Sequence, residues 1–447
     1  MSYTKKTLDF IHTLSYDSLP REVKHQAKRC LLDTLGAAIA GYRTPVAALM
    51  EGFARDQFPG DQAGIIVSGT RVSASGAALA NGFAVNALDI DDGYRNVKGH
   101  PGACILPVLL AAVQLAGPDR VSGADFLTAL VAGYETAIRA GLIRHATYTS
   151  YHSSGSWGAI GGAAAAGKLL RLGPDTLQNA LGAAEYHAPI APMMKCIDVP
   201  GMGKDSIGWG AMVAMQSVLL AQRGFSGINP LFDDSPEPRW IESLGSEWEI
   251  MNLYFKPYSC CRWAQPAVDG SIKLGREHGI EPGEIEEIRI YTFRECAALC
   301  SRPPETTEEA QYNIPFPVAA AVVDGEVGPE QVLPPRLFDA DIRRMMKRIT
   351  ITAEERFQKQ FPAKAESEVE IRFRRGGRGV QETVRSGVMP ARWDAGESAP
   401  EDNELERKFI RLSAPLLGKE KAEELRSLVW TLEASGGLEK LFEVTVK

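Results

Sequence analysis

Over the first 270 positions, apolar residues return every three to four places and few stretches alternate. That period puts an apolar stripe along a helix. It predicts helices over 22–40, 76–88, 105–115 and 124–143. Residues 159–170 are almost all small or apolar, which predicts a helix buried on every side. Gly158 and Gly162 lie one turn apart there, so a neighbouring backbone can come close. Pro174 and Asp175 open another helix running to about 186. A further one spans 209–222 and stops at Gly224.

Beyond residue 270 the pattern changes. Residues 285–293 alternate as a strand does, and 367–373 can pair with 380–385 across the glycine-rich turn 374–379. Helical spacing returns at 310–323 and 340–348, while 389–402, with two prolines and several acids, reads as a linker. Helices resume over 404–417 and 420–433. The chain is thus predicted to be mainly α with a smaller α+β domain. Residues 1–270 and 403–447 form a large discontinuous helical domain, and 271–402 the α+β domain.

Composition narrows the class. The 447 residues are 45% apolar and 23% charged, and the net charge of −7 disfavours nonspecific nucleic-acid binding. Lys5 and Lys6 are not followed by the apolar core of a secretory signal, and no uninterrupted apolar run is long enough to span a bilayer. A cytoplasmic protein without membrane partners is expected. The seven cysteines form no disulfide framework. Cys296 and Cys300 would share a helix face, but no second Cys or His pair completes a metal site.

The densest chemistry lies in residues 88–102, Leu-Asp-Ile-Asp-Asp-Gly-Tyr-Arg-Asn-Val-Lys-Gly-His-Pro-Gly. Three carboxylates (Asp89, Asp91, Asp92), two cations (Arg95, Lys98) and His100 sit between two apolar helices, on a loop broken by Gly93, Gly99, Pro101 and Gly102. His100 is either an acid–base group or a histidine bonded to a nearby carbonyl. His152 stands before the small-residue helix among Tyr148, Tyr151, Ser153 and Ser154, where a ligand anion or a simple N-cap both fit. His145 is a weaker candidate. Lys256 and Arg262 lie among aromatics in Phe255–Trp263, and Lys204 stands on a glycine-rich turn before a helix; each is either an anion contact or a snorkelling cation. Cys260 and Cys261 are weaker candidates as nucleophiles. No dinucleotide-binding glycine signature has the strand it requires.

Several motifs then coincide in order along the chain. Leu-Asp-Ile-Asp-Asp (88–92) with His100-Pro101-Gly102, His152 before a glycine-rich helix, and Lys204-Asp205 before Gly-Trp-Gly-Ala resemble the MmgE/PrpD family. So do Lys256-Pro-Tyr-Ser-Cys-Cys-Arg262 and Gln311-Tyr-Asn-Ile-Pro-Phe316. The resemblance implies a helical domain, an α+β lid domain and a homodimer. It also implies cofactor-independent chemistry on small polycarboxylates, without a metal. Carried over by position, Asp89, His100, His152, Lys204 and Lys256 are the implied catalytic residues. Arg95, Tyr151, Arg262 and Gln265 are the expected substrate contacts. The chain departs from the pattern at Gly93 (often threonine), Gln265 (commonly histidine) and Phe316 (a tyrosine).

The expected mechanism follows from a carbanion beside a carboxylate, which fixed cations stabilise. Lys204, Lys256 and Arg262 form the anion clamp, with Arg95 and Lys98 as optional members. One of His100 and His152 takes a proton and the other gives one, in either assignment, while Asp89 orients a histidine. The first expectation is a hydro-lyase acting on a citrate-like acid such as 2-methylcitrate. Alternatives are an epimerase, isomerase or decarboxylase of a related acid, or an inactive scaffold, which the changes at Gly93, Gln265 and Phe316 motivate.

Overall fold

A computed structural model describes residues 2–148, 150–377 and 379–445. Helices of ten residues or more are numbered here. The helical domain comprises α1 (Tyr3–Thr13), α2 (Arg21–Gly41), α3 (Pro45–Gln57), α4 (Ala74–Asn86), α5 (Pro101–Ala116), α6 (Gly123–Thr147), α7 (Gly155–Leu169), α8 (Pro174–His187) and α9 (Ile207–Ala221). The small-residue helix α7 is the hub. A Cβ at Gly158 would lie 2.3 Å from the Cys104 sulfur, so only glycine lets α5 come this close. α6 is long and apolar enough to cross a membrane by length and composition, although no uninterrupted apolar run marks it in the sequence. Its apolar window is entirely buried in the bundle.

The smaller domain is built on a four-stranded sheet of β1 (Ile285–Thr292), β2 (Ile349–Ala353), β3 (Glu366–Arg374) and β4 (Gln381–Pro390), in the order β2-β1-β3-β4. β1 runs parallel to β2 and antiparallel to β3, and β3–β4 is the hairpin expected across the glycine-rich turn. α10 (Gln265–His278) packs on β3 and β4, so a domain border at residue 270 cuts through a helix that belongs with the sheet. The helix expected over 310–323 is interrupted: Thr307–Gln311 ends, and α11 (Pro315–Asp324) starts at its proline. Residues 312–314 between them are non-helical, which frees Tyr312 for the site described below. The linker expected from 389 begins inside β4. Cys296 lies in a four-residue helix, Arg294–Ala297, that ends before Cys300.

The last long helices, α12 (Asp402–Leu417) and α13 (Lys419–Trp430), return to the first domain, where α12 packs against α2. Lys408 on α12 is buried there. Its ammonium pairs with Asp33 of α2 and donates to the Ile90 carbonyl at 2.6 Å. The C-terminal segment therefore grips the acidic loop that follows α4.

Candidate active site

Asp89, Asp91 and Asp92 follow α4 and are all buried, so each needs a partner. Asp89 has a φ of 51°, a left-handed conformation that a non-glycine residue adopts at a cost. Lys98, Lys204 and Ser206 share that conformation, so four of the seven such non-glycine residues among those described cluster here. Lys256 reaches Asp89 from the other side. Its ammonium lies 2.8 Å from the Asp89 carboxylate and donates to the Asp89 carbonyl at 2.8 Å. His100 completes the cluster. Its Nε2 is 3.5 Å from the Asp89 carboxylate, and its Nδ1 is 3.1 Å from Asp91 and 2.8 Å from the Asp92 carbonyl. The Asp91 contact is an ion pair without good hydrogen-bond alignment, because that oxygen has no directional partner.

The field in this cluster fixes its protonation. Burial opposes the charge on His100, but Asp91 overcomes it and pushes the imidazole up to about 9. Burial likewise opposes charge on Lys256, yet Asp89 drives its ammonium above the ordinary lysine range. Asp91 falls to about 2 against its own burial, through His100, and Asp89 is lowered through Lys256, Lys204 and His100. Asp92 behaves differently: burial lifts it to about 7, where it accepts from the Tyr134 hydroxyl and the Gly102 N–H. Near neutral pH the site thus presents a charged imidazolium and a charged ammonium between two ionised carboxylates, Asp89 and Asp91.

Asp89, His100 and Lys256 open onto an interdomain cavity of about 100 Å³. Asp89, Arg95, Lys98, His100, Tyr151, Lys256 and Arg262 line it, so these predicted residues come together. His152, Lys204 and Gln265 are not in its wall. The His152 ring stacks on His145 with centroids 4.2 Å apart and is bonded to the Ser156 hydroxyl, while burial and Arg144 lower its pKa. The Lys204 ammonium is held by the Asn86 carbonyl and by Gln311 Oε1. Gln265 is fully buried: it donates to the Tyr258 and Cys260 carbonyls and accepts from Arg262. Its expected substrate contact is therefore replaced by a packing role.

Arg262 lines the cavity but donates mainly to backbone, to the carbonyls of Phe255, Ala391 and Arg392. It therefore braces the two segments more than it clamps an anion. Arg95 pairs with Asp394 and donates to the Ala363 carbonyl. Tyr151 donates to the Lys98 carbonyl at 3.0 Å, with the Lys98 ammonium 5.3 Å from its ring centroid. Burial raises the Cys261 thiol to about 12, which removes it as a nucleophile at neutral pH.

Sequence reasoning missed Asp205, Tyr254 and Tyr312 in the cavity wall. Asp205 was legible beside Lys204. It accepts from the Ser154 hydroxyl at 2.8 Å, and that hydroxyl accepts from the His100 backbone N–H at 3.1 Å. The segment around residue 152 thus acts on the site through Tyr151 and Ser154, on either side of its histidine. Asp89, Asp91 and His100 also offer three metal-ligand atoms within 4.8 Å of one another. A cation there would have to displace the Lys256 ammonium and discharge the imidazolium, so this donor set fits an ion-pair cluster better than a metal.

Comparison with known proteins gives the family. The MmgE/PrpD N-terminal domain matches residues 5–242 and the MmgE/PrpD C-terminal domain residues 258–434. A cis-aconitate decarboxylase-like protein of Aspergillus oryzae is 25% identical over 98% of this chain and 96% of its own length. The cis-aconitate decarboxylase of Aspergillus terreus is 24% identical over 99% and 95%, and that of Homo sapiens 25% over 97% and 92%. With both domain models matched in order over most of its length, the chain belongs to the MmgE/PrpD family.

Proposed function

We propose that this enzyme decarboxylates a small unsaturated polycarboxylate of the cis-aconitate type. The observation that carries this reading is the charged state of His100, at about 9, beside Lys256. Decarboxylation of an allylic acid needs no base. As the carbon–carbon bond to the departing carboxylate breaks, CO2 leaves and the electron pair shifts across the double bond. The far carbon then takes one proton. His100 is charged beforehand and supplies that proton. Lys256 stabilises the negative charge that spreads onto a neighbouring carboxylate. The similar proteins named as cis-aconitate decarboxylases support the same reading.

Dehydration of a citrate-like acid, the first sequence expectation, needs a base for a weakly acidic C–H. Asp89 is the ionised group at hand, but Lys256 at 2.8 Å lowers its affinity for a proton. One experiment separates the two. The protein is incubated in heavy water with cis-aconitate, 2-methylcitrate, citrate and iminodisuccinate, and proton spectra are read. Decarboxylation gives CO2 and a methylene dicarboxylate carrying one solvent deuterium. Elimination of water, or deuterium exchange without loss of CO2, overturns the proposal.

The reading includes a homodimer. α9 has no charged residue, yet it leaves Trp209 and Leu220 exposed, with Leu49 and Phe53 of α3 exposed beside Trp209. Trp209, Val213, Gln216 and Leu220 are spaced 4, 3 and 4 residues apart, the seam by which a helix packs on its own copy across a two-fold axis.

A further inference from the structure

Gly93 and Tyr254 are backbone partners. The Gly93 N–H donates to the Tyr254 carbonyl at 3.0 Å, and the Tyr254 N–H donates back at 2.9 Å. This pairing joins the acidic loop to the segment that carries Lys256 two residues later. It also lays the Tyr254 ring against Gly93. A Cβ at residue 93 would stand 2.3 Å from both the ring's Cζ and its hydroxyl oxygen, closer than any side chain tolerates. The Arg262 guanidinium lies 4.4 Å from the ring centroid and is itself tied to three backbone carbonyls. The ring is thereby held on a fixed cushion.

The hydroxyl is placed but not used. Tyr254 is buried and lines the cavity with Asp89, His100 and Lys256, yet its hydroxyl has no hydrogen-bond partner among the described residues. The hydroxyl oxygen is not sealed inside protein, so a ligand oxygen in the cavity can accept its hydrogen bond. Burial pushes the phenol up to about 12, so it keeps its proton and remains a donor. Gly93 has no side chain and the fully buried Phe316 has no hydroxyl, so neither replaces it.

We propose that Tyr254 is a substrate-contacting hydrogen-bond donor that selects which polycarboxylate the cavity accepts, and that Gly93 is the positioning residue that admits its ring. A neutral donor suits this position. Lys256 and His100 already supply two positive charges, and the phenol adds directional recognition of a carboxylate or carbonyl oxygen without further charge. A pocket built to satisfy a polar group rejects an acid lacking the matching oxygen. This inference rests on the polycarboxylate reading.

The test uses the full-length enzyme and four variants: Tyr254→Phe, Gly93→Ala, Tyr254→Ala and the double variant Gly93→Ala/Tyr254→Ala. Tyr254→Phe keeps the ring and the fold, and is expected to lower kcat/KM for the preferred acid by about 10–100-fold, mainly through KM. It also narrows that acid's advantage over the others. Gly93→Ala is expected to lose at least as much by displacing the ring. In the Tyr254→Ala background the same Gly93→Ala change costs less than twofold. An ultraviolet pH titration of Gly93→Ala shows one more tyrosine ionising near the ordinary value of 10. If wild type turns over an acid and Tyr254→Phe matches it within twofold, the Tyr254 proposal fails alone. If calorimetry shows that wild type binds none of the four acids, the polycarboxylate reading fails and takes this inference with it.

Discussion

His100 and His152 are the same side chain at the edges of neighbouring helices, both buried, and the structure gives them opposite states. His100 sits within 3.5 Å of two carboxylates and is charged at neutral pH. His152 has no carboxylate partner among the described residues, stacks on a second imidazole, and is pushed toward its neutral form by burial and Arg144. The contrast shows that the local field, not the residue type, makes a proton donor. A loop that packs acids around a histidine stores a proton there.

The largest expected effect comes from breaking the ion pair that organises the first region. Lys256→Ala leaves Asp89 ionised and buried without its partner, which costs about 3–5 kcal/mol. Activity is lost and the denaturant midpoint falls sharply; an unchanged midpoint would contradict the pairing. His100→Gln comes next, with kcat expected to fall about 10²–10⁴-fold. His152→Ala is expected to cost less than tenfold, and a loss equal to that of His100→Gln would erase the contrast between the two.

The pH dependence sharpens it further. His100 has a folded pKa raised from 6.5 to about 9. Its contribution to stability is complete below 6.5 and disappears as pH rises through 9. Asp92 is also raised, to about 7, so its ionisation adds a penalty that grows between 3.8 and 7. Both terms lower stability as pH increases. kcat/KM should fall above pH 9 as His100 discharges, while imidazole resonances place His152 below 6.5 and His145 at about 4. The smallest effect on chemistry is expected from Trp209→Asp. Light scattering should show a shift from twice the 48.5 kDa chain mass toward one chain, with the cavity intact.

The helical core was legible because its stripes and small-residue faces follow from burial alone. β2 was not: Ile349-Thr-Ile-Thr alternates, but the run is only five residues long, lies at the sheet edge and follows directly on the helical pattern of 340–348. The acidic loop was legible because Asp89, Asp91, Asp92 and His100 are close in sequence. What lowers Asp89 is not, since Lys256 lies 167 positions away. The hydroxyl-rich setting of His152 suggested a ligand site, but the Ser153 hydroxyl donates to the Pro189 carbonyl and the Ser154 hydroxyl is taken up by Asp205 and the His100 backbone N–H. Tyr254 carries no motif. The one sign of it was Gly93, a glycine at a loop position where nothing local demanded an absent side chain.

Lys408 gives the molecule a built-in order of assembly. The Ile90 carbonyl it holds is made 318 residues earlier, so a ribosome completes nearly the whole polypeptide before that anchor exists. The early helices are free to collapse beforehand, with the acidic loop held by Lys256 and Tyr254 but not yet by Lys408. A prematurely terminated product therefore contains most of the bundle and every cavity-lining side chain, yet lacks the fastener.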